Sequence, residues 1–477
     1  MERIAATISS LPPPNVPGRA ALDAICVEEN LPVNAVRIVV GLLSCCAVAP
    51  FYHLLPSVPF RHLANVVLGM SVGWFVFDYM LVHSIVAIVV TYVLLHIAPR
   101  KLAGRLVAAF LFAYLIGCHY FREYYEPNLV WDSAQMVLTM KLTGLALSYS
   151  DGGLKDDLKT PLMLRNQLLR IPSLLELCGF IYFFPTFLVG PGFEYHEYVD
   201  WVNNRRSAPL SIHFKNVLLA IMCIGLFFVS DNFPIDIIDS PEFYPEAPWV
   251  IRCLLQSLSV ALYRFRFYMV WSLAELGGVL AGYGYSADSN EWSGLTNNHI
   301  LSVELPVNMR VAINGWNIKV ALWLNTYVYQ RVALKKGKPT AFSTLASFLV
   351  SALWHGLAPG YYIFFIMGAL YIEVAKHIRR RYRSFFHYTE DRKAHPHAIF
   401  FEYFTPGKCH PLAILYDLGG MLFTWIAMQY AGIAFEILDL QRCIRIWSSW
   451  YFAPPIITIV LLVFFNTSKP ARRQKTE

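Results

Sequence analysis

A single histidine lies in the middle of a long uncharged stretch, where it could accept a proton away from water. Residues 339–372 contain no Asp, Glu, Lys or Arg, and His355 lies near their centre. Ionisable side chains in apolar membrane segments are costly and are often functional. Removal from water favours the neutral imidazole that a general base requires, whereas a nearby helix C-terminus favours the protonated form. His355 is therefore predicted to be either a general base or a hydrogen-bonded structural histidine.

An amphipathic stretch upstream of His355 concentrates polar side chains that could hold a substrate. The Asn317 amide in this stretch can both donate and accept hydrogen bonds, so it could hold a hydroxyl group or a carbonyl oxygen. The alternative interpretation is a polar helix end that is capped by asparagines. The polar side chains of the stretch, with one tryptophan, are Asn308, Arg310, Asn314, Trp316, Asn317 and Lys319.

The other groups of potential ligands predict no metal centre. His196 lies close to Glu197 and Asp200 in a loop-like stretch without a third histidine, so we expect a solvated or substrate-entry face. The histidines and the cysteine at residues 395–397 and 409–410 have a spacing that matches no zinc site. We therefore expect no bound metal.

The composition requires a membrane as the main solvent of the chain. Of 477 residues, 15% are charged and 56% are hydrophobic, and the mean hydropathy is +0.45. A soluble domain typically carries about 25% charged residues and about 45–50% apolar ones, so an ordinary soluble fold is excluded. The net charge of +7 is modest, and the basic residues lie beside apolar runs. This pattern favours loops at an anionic lipid surface over a nucleic-acid surface.

Long charge-free runs predict membrane-spanning helices. Residues 38–60 and 79–99 contain no Asp, Glu, Lys or Arg, and a spanning helix needs about 20 residues. Together with shorter apolar segments, these runs predict an all-α polytopic membrane protein with roughly ten to twelve membrane helices, some of them tilted or broken. We find no internal repeat, which argues against an inverted-repeat transporter.

The uncharged stretch around His355 is too long to be one straight span. As a single helix, residues 339–372 would reach about 50 Å, whereas the hydrocarbon core of a bilayer is about 30 Å thick. We predict a break at Pro359 and Gly360, because proline disfavours a helical residue before it and glycine tolerates unusual dihedral angles. His355 would then lie just before the break.

The chain is expected to consist of a polar lead, a membrane domain and a basic tail, at residues 1–36, 37–468 and 469–477. The proline-containing lead lacks the apolar core of a cleavable signal peptide. Another basic stretch lies at residues 376–393. The positive-inside rule predicts that this stretch and the tail both face the cytosol.

An ordered set of motifs surrounds the two candidate residues. Asn317 follows Trp316 and precedes a Trp-Leu pair at residues 323–324, and His355 lies in Ser-Ala-Leu-Trp-His-Gly ahead of Pro-Gly-Tyr-Tyr at residues 359–362. This set closely resembles the paired signature of the membrane-bound O-acyltransferase family, in its lysophospholipid acyltransferase branch. The Phe-Tyr-x-Asp-Trp-Trp-Asn signature of the sterol and diacylglycerol branches is absent from the chain. Further matching segments lie at residues 136–149, 151–152, 172–174, 184–187, 190–191 and 194–195.

The resemblance implies helices around a buried tunnel, with His355 and Asn317 as the catalytic pair. Such an enzyme moves a fatty acyl chain from acyl-CoA to the free hydroxyl of a lysophospholipid, which is a step of phospholipid remodelling. His355 would take the hydroxyl proton, and Asn317 would steady the acceptor or the developing oxyanion. Acyl-CoA is then a substrate and no cofactor is needed. Together with the absence of a cleavable signal, this implies a multi-pass protein of the endoplasmic reticulum membrane.

Eight further side chains are candidates for substrate contacts. Arg264 and Arg266 interrupt an apolar segment, and they could meet CoA phosphates at the cytosolic mouth or pair internally. The candidates are Trp316, Trp354, Tyr361, Tyr362, Glu194, Tyr195, Arg264 and Arg266.

Two alternatives stay open at this point. A polytopic transporter would also be apolar and rich in aromatic residues, and it could use a buried histidine in a proton pathway. A related acyltransferase could acylate a peptide, a protein or another lipid. The ordered motifs favour phospholipid acylation, whereas headgroup preference, acyl-chain preference and oligomeric state do not follow from the sequence.

Overall fold

The computed structural model is built from helices and short helical turns throughout the residues that it describes. These are residues 16–125, 131–204, 206–230, 233, 236, 239–240, 246–286, 290–335, 340–382 and 411–467. Within these ranges no β-strand occurs, and one isolated bridge joins Ser286 and Glu291. The predicted all-α architecture is confirmed. Most of the predicted basic loop, the histidines at 395–397 and 409–410, and the basic tail lie outside the described residues.

The helices follow one another along the chain with short connections. The α-helices are α1 Arg19–Glu28, α2 Val33–Val48, α3 Val58–Phe77, α4 Val82–Ile97, α5 Arg100–Tyr124, α6 Trp131–Asp151, α7 Pro161–Asn166, α8 Leu174–Ile181, α9 Tyr195–Asn203, α10 Leu210–Ser230, α11 Trp249–Leu280, α12 Ile300–Glu304, α13 Met309–Gly315, α14 Ile318–Leu324, α15 Gln330–Lys335, α16 Ala341–His355, α17 Pro359–Tyr382, α18 Pro411–Ile437, α19 Leu440–Ser448 and α20 Ala453–Thr467. Short 3-10 turns lie at Ala49–Leu54, Asp78–Leu81 and Asp156–Leu158, and a π-helical turn at Asn325–Tyr329 follows α14.

The protein is a multi-pass membrane protein. Among the described residues, six helical stretches are long and apolar enough to cross a bilayer, namely α2 with its 3-10 turn, α3 with α4, α5, α10, α17 and α18. The pair α19 and α20 is bent by 84° and would make a seventh span if its two helices crossed together. The expected ten to twelve elements included shorter apolar segments such as the end of α16, which at 15 residues is too short to span alone.

The chain breaks next to His355 as the sequence predicts. Helix α16 ends at His355, and α17 begins at Pro359. Gly356 between them has a φ of 153°, which favours glycine, and an added Cβ would lie 2.8 Å from the Tyr361 ring. The histidine is therefore presented at the end of one helix, with the next helix turning back against it.

Helix α6 lies at the centre of the bundle and packs along α5. The approach of the two helices is close at Gly104, where an added Cβ would lie 2.8 Å from the Ala146 carbonyl oxygen. The side chains of Trp131 and Leu142 on α6 are fully buried in the main hydrophobic core. This central position makes α6 a rigid reference for the segments that carry Asn317 and His355.

Candidate active site

Helix α6 holds both motif segments through two tryptophans. The Trp354 indole N–H donates to the Met136 carbonyl at 2.9 Å, and the Trp323 indole N–H donates to the Met140 carbonyl at 3.0 Å. Met136 and Met140 are one helical turn apart. A buried indole N–H usually finds an acceptor, so these bonds fix the orientation of both rings. The helix that follows Asn317 and the helix that ends at His355 are thereby attached to the same turn of α6.

Asn317 adopts a left-handed backbone conformation directly before α14. Its φ is 45°, in a region that asparagine tolerates better than most residues. Its Oδ1 accepts a hydrogen bond from the Asn297 amide at 3.1 Å, and the Asn297 carbonyl accepts from the Ile318 N–H at 2.8 Å. The Asn317 side chain caps no helix, and its amide nitrogen donates to none of the described residues. A hydrogen-bond donor therefore remains for a substrate.

The capping interpretation applies to another asparagine of the same stretch. Asn308 precedes α13, and its side-chain oxygen accepts from the Val311 N–H at 3.2 Å. Asn317 also owes its position to Asn297, which is buried and which the sequence gave no reason to single out. The hydrogen bonds from Asn297 cross 20 residues of chain, and no local pattern predicts such a pair.

Aromatic rings surround the half-buried imidazole of His355. The rings of Tyr361 and Phe365 stack on it at centroid distances of 5.6 Å and 5.3 Å, and Phe435 and Trp354 meet it edge-on at 5.0 Å and 4.7 Å. No described residue forms a hydrogen bond with either ring nitrogen. The structural alternative, a hydrogen-bonded histidine, therefore has no support from the described residues, and a nitrogen lone pair remains available for a proton.

A buried histidine that the sequence did not single out supports the backbone beside His355. His119 Nε2 donates to the Trp354 carbonyl at 3.0 Å. Its other nitrogen lies 3.5 Å from an Asp132 carboxylate oxygen, and this contact is an ion pair only when the imidazole is protonated. Arg122 in turn forms a salt bridge with Asp132. The Arg122 side chain, three residues after His119 on α5, was the available sequence signal, but the partner on α6 was not.

Two of the predicted substrate residues lie at the start of α9. Glu194 accepts a hydrogen bond from the Tyr327 hydroxyl at 2.7 Å, and the backbone N–H of Glu194 donates to the Glu197 carboxylate at 3.0 Å. Burial raises the pKa of Glu194 to about 7, although the hydrogen bond from Tyr327 opposes this shift. Tyr195 is buried, and its ring meets Phe180 edge-on at 5.4 Å. Tyr327 belongs to the π-helical turn after α14, a type of turn that is frequent at functional sites.

The two arginines of α11 have different surroundings. Arg264 is buried and forms a two-pronged ion pair with Glu304 at 2.8 Å and 2.5 Å, and it also donates to the Gln429 side chain at 3.0 Å. This is the internal pairing that the sequence left open, and a CoA phosphate would compete with Glu304 for the guanidinium. Arg266 lies over the Tyr263 ring at 4.9 Å. Binding of CoA by either arginine stays a prediction.

The remaining candidates belong to the walls of the same region. The Trp316 ring packs edge-on against Trp271 of α11 at 5.3 Å. Tyr361 and Tyr362 lie in the first turn of α17, where Tyr361 stacks on His355 and Tyr362 is half-buried. The structure therefore groups Trp354, Tyr361 and His355 in one place, while Glu194 lies with the π-helical turn that follows α14.

A cavity with about 430 Å³ of empty space, including space open to solvent, lies beside α14. We call it the charged cavity, because Lys141, Lys319, Glu194 and Glu197 lie in its wall together with Phe193 and Trp323. The tunnel that the resemblance implies stays a prediction. In the described part of the chain, no three His, Cys, Asp or Glu side chains come together as a metal ion would need.

The comparison with known families decides the identity of the fold. A sequence model of the membrane-bound O-acyltransferase family matches residues 116–405, which is more than half of the chain and includes Asn317 and His355. The chain belongs to this family. The resemblance drawn from the motifs is confirmed, and membrane-bound O-acyltransferases are enzymes and not transporters.

Characterised relatives of this membrane-bound O-acyltransferase extend over most of its length. A lysophospholipid acyltransferase of Schizosaccharomyces pombe is 30% identical over 362 residues, which cover 72% of this chain and 68% of that protein. Lysophospholipid acyltransferase 2 of Arabidopsis thaliana is 27% identical over 94% of this chain and 97% of its own. Membrane-bound glycerophospholipid O-acyltransferase 2 of Mus musculus is 26% identical over 96% of this chain and 90% of its own. The similarity is therefore not confined to the motifs.

Proposed function

We infer that this chain is a lysophospholipid O-acyltransferase, and we propose that acyl-CoA is its acyl donor. The observation that carries the inference is the similarity, over up to 96% of the chain, to proteins named as acyltransferases of lysophospholipids or glycerophospholipids. The names of these relatives also favour a phospholipid acceptor over a peptide or a protein.

The proposed reaction forms an ester bond and breaks a thioester bond. His355 takes the proton of the free glycerol hydroxyl, and the hydroxyl oxygen attacks the thioester carbonyl carbon. The CoA thiolate leaves, and the proton held by His355 passes to it, which restores the neutral imidazole. No covalent acyl-enzyme and no cofactor take part. The ring nitrogens of His355, which bond to no described residue, support this role.

Asn317 serves the proposed reaction as a hydrogen-bond donor. Its Oδ1 is engaged by Asn297, so the amide N–H groups are the part that can face a substrate. A preorganised amide donor stabilises an oxyanion, or orients a hydroxyl, without reorganisation during the reaction. The aromatic enclosure of His355 would keep water from the thioester, and two reactants held together gain proximity.

We propose that the enzyme works in the endoplasmic reticulum membrane. A lysophospholipid could enter sideways from the bilayer, whereas the soluble CoA moiety would arrive from the cytosol. The six described spans support the multi-pass arrangement that such access requires. The predicted cytosolic basic segments agree with this orientation.

The test is the release of free CoA thiol from oleoyl-CoA in the presence of a lysophospholipid. The purified protein should release thiol only when both substrates are present. His355→Ala should lower the rate by about 100-fold or more, as loss of a general base does. Asn317→Ala should also lower it by about 100-fold, as loss of an oxyanion donor does.

A matched histidine control is available on α4. His96 is exposed, and its ring nitrogen bonds to the Tyr92 carbonyl at 2.8 Å within the same helix. His96→Ala should therefore release thiol at the wild-type rate. If His355→Ala were inserted normally and still turned over like the wild type, the catalytic assignment would be wrong.

A further inference from the structure

Lys319 contributes an available cation to the charged cavity. Its backbone N–H donates to the Asn297 side chain at 3.0 Å, which fixes the start of the residue two positions after Asn317. Its ammonium group forms no hydrogen bond or close ion pair with any described residue, although the charge of Glu194 acts on it. An anionic group that enters the cavity would therefore find a cation that has not been neutralised by direct contact.

Glu197 contributes an available anion to the same cavity. One of its carboxylate oxygens accepts the Glu194 backbone N–H at 3.0 Å, which holds the side chain in place at the start of α9. The second oxygen accepts no hydrogen bond from the described residues. The carboxylate is thus oriented by the fold and retains an acceptor for a cationic group.

Lys141 is the other cation of the charged cavity, but it is already engaged. Its ammonium donates to the Phe180 carbonyl at 2.5 Å and lies over the Phe180 and Phe193 rings at 4.3 Å and 4.4 Å. The side chain is buried. Lys141 therefore balances charge at the rear of the cavity and offers few donors to a ligand, since its own partners hold it in place.

We propose that the charged cavity binds the zwitterionic headgroup of the acceptor lipid, with its phosphate at Lys319 and its ammonium group at Glu197. This rests on the proposed function as a lysophospholipid acyltransferase. One available cation and one available anion match one phosphate and one choline or ethanolamine nitrogen. Asn317 is two residues from Lys319, and the glycerol hydroxyl is a few bonds from the phosphate. A headgroup held at Lys319 thus brings the hydroxyl towards Asn317.

Headgroups with a different charge balance fit this arrangement less well. Phosphoserine adds a carboxylate that would face Glu194 and Glu197, and the cavity has no second unengaged lysine in its described wall. Phosphoinositol lacks a cation, so it would leave the Glu197 carboxylate without a charged partner. Unpaired or like charges in an enclosed site cost affinity, so the cavity selects against both.

The test measures kcat/KM of the full-length protein for lysophosphatidylcholine and for lysophosphatidylserine, with oleoyl-CoA as donor. The wild type should prefer lysophosphatidylcholine by about tenfold or more. Glu197→Lys should lower this preference by about tenfold, because the new cation repels choline and attracts the serine carboxylate. Lys319→Met should raise the KM for both lipids and leave the KM for oleoyl-CoA unchanged.

Asp200 provides the matched control on the same helix. It is exposed and pairs with Arg206 at 2.9 Å outside the charged cavity. Asp200→Lys reverses an equivalent charge and should leave the headgroup ratio unchanged, which separates a local contact from a change in the field of α9.

Three outcomes overturn the proposal. An unchanged headgroup ratio in a folded Glu197→Lys protein would remove the assigned role of that carboxylate. A Lys319→Met protein that binds oleoyl-CoA more weakly, with unaltered acceptor KM, would show that the cavity serves the donor. A wild type that acylates lysophosphatidylserine as well as lysophosphatidylcholine overturns the headgroup assignment alone, whereas a wild type that acylates no lysophospholipid overturns the proposed function as well.

Discussion

The surroundings of His355 and the charged cavity beside α14 differ in almost every chemical respect. Around His355 the neighbours are the aromatic rings of Tyr361, Phe365 and Phe435, with no hydrogen bond to the imidazole from the described residues. The cavity instead contains charges of both signs, of which Lys319 is one. The difference indicates a division of work, in which an apolar region suits proton transfer and a charged region suits recognition of the lipid.

The largest effect is expected from the support behind His355. His119→Phe removes the hydrogen bond to the Trp354 carbonyl and so loosens the backbone that presents His355. We expect kcat to fall by about 10- to 100-fold, the range found when outer-sphere supports of a site are removed. The fall should be equal for lysophosphatidylcholine and lysophosphatidylserine, since His119 is a positioning residue at the apolar region.

A second variant separates positioning from general instability. His119→Gln keeps a donor that can reach the carbonyl, so it should recover part of kcat while KM stays at the wild-type value. A change in the headgroup ratio in either variant would break the division between the two regions.

The anchors on α6 should affect stability more than selectivity. Trp323→Phe keeps most of the ring and removes the N–H that donates to the Met140 carbonyl. We expect a loss of about 1–3 kcal/mol in the free energy of unfolding, the cost of an unsatisfied buried group. Thermal unfolding in detergent would measure it. Trp354→Phe should lose a similar amount through Met136, and the double variant should reveal whether the two anchors are coupled.

The pH dependence of acceptor binding should report the charged cavity. The pKa of Glu194 is raised to about 7 by burial, so the carboxyl is neutral below this pH and negative above it. The groups that act on it are Tyr327, Glu197, Lys319 and Arg165. Because an added negative charge favours the ammonium group, kcat/KM for lysophosphatidylcholine should rise several-fold between about pH 6 and about pH 8.

Two variants check the origin of this rise. Glu194→Gln carries no titrating charge, so the part of the rise that it causes should disappear while the contribution of His355 remains. Tyr327→Phe removes the hydrogen bond that opposes the shift, so the midpoint should move to higher pH. A Glu194→Gln profile identical to that of the wild type would count against this assignment.

The smallest effect is expected outside both regions. Arg170 and Glu176 form a paired contact at 2.8–2.9 Å, in which the arginine is largely exposed. The hydrogen bonds from Arg170 lower the pKa of Glu176 to about 2, so this stabilisation is present above the ordinary carboxyl pKa and is lost as the pH falls towards 2. Glu176→Gln should cost about 1 kcal/mol or less near neutral pH and leave thiol release unchanged.

The sequence predicted the membrane character and the break beside His355 for a simple reason. Hydropathy and helix length act over neighbouring residues, so the charge-free run and Pro359 contain the necessary information. The motif resemblance identified the family in the same way, since its residues lie in short segments around Asn317 and His355.

The contacts that support the site could not be predicted, because they join distant segments. Glu194 meets Tyr327 across 133 residues, and Arg264 meets Glu304 across 40. A single sequence gives no measure of which side chains meet across such separations. The choice between internal pairing and phosphate binding for Arg264 therefore had to stay open until the helices were seen together.

The two indole anchors on α6 have a mechanical consequence. Their acceptors, Met136 and Met140, are about 6 Å apart along the helix axis. A sliding or rolling movement of α6 would carry both attached segments with it and preserve their separation. A kink between the two acceptors would instead pull the segments apart, so the straightness of this one turn determines whether the reacting groups stay in register.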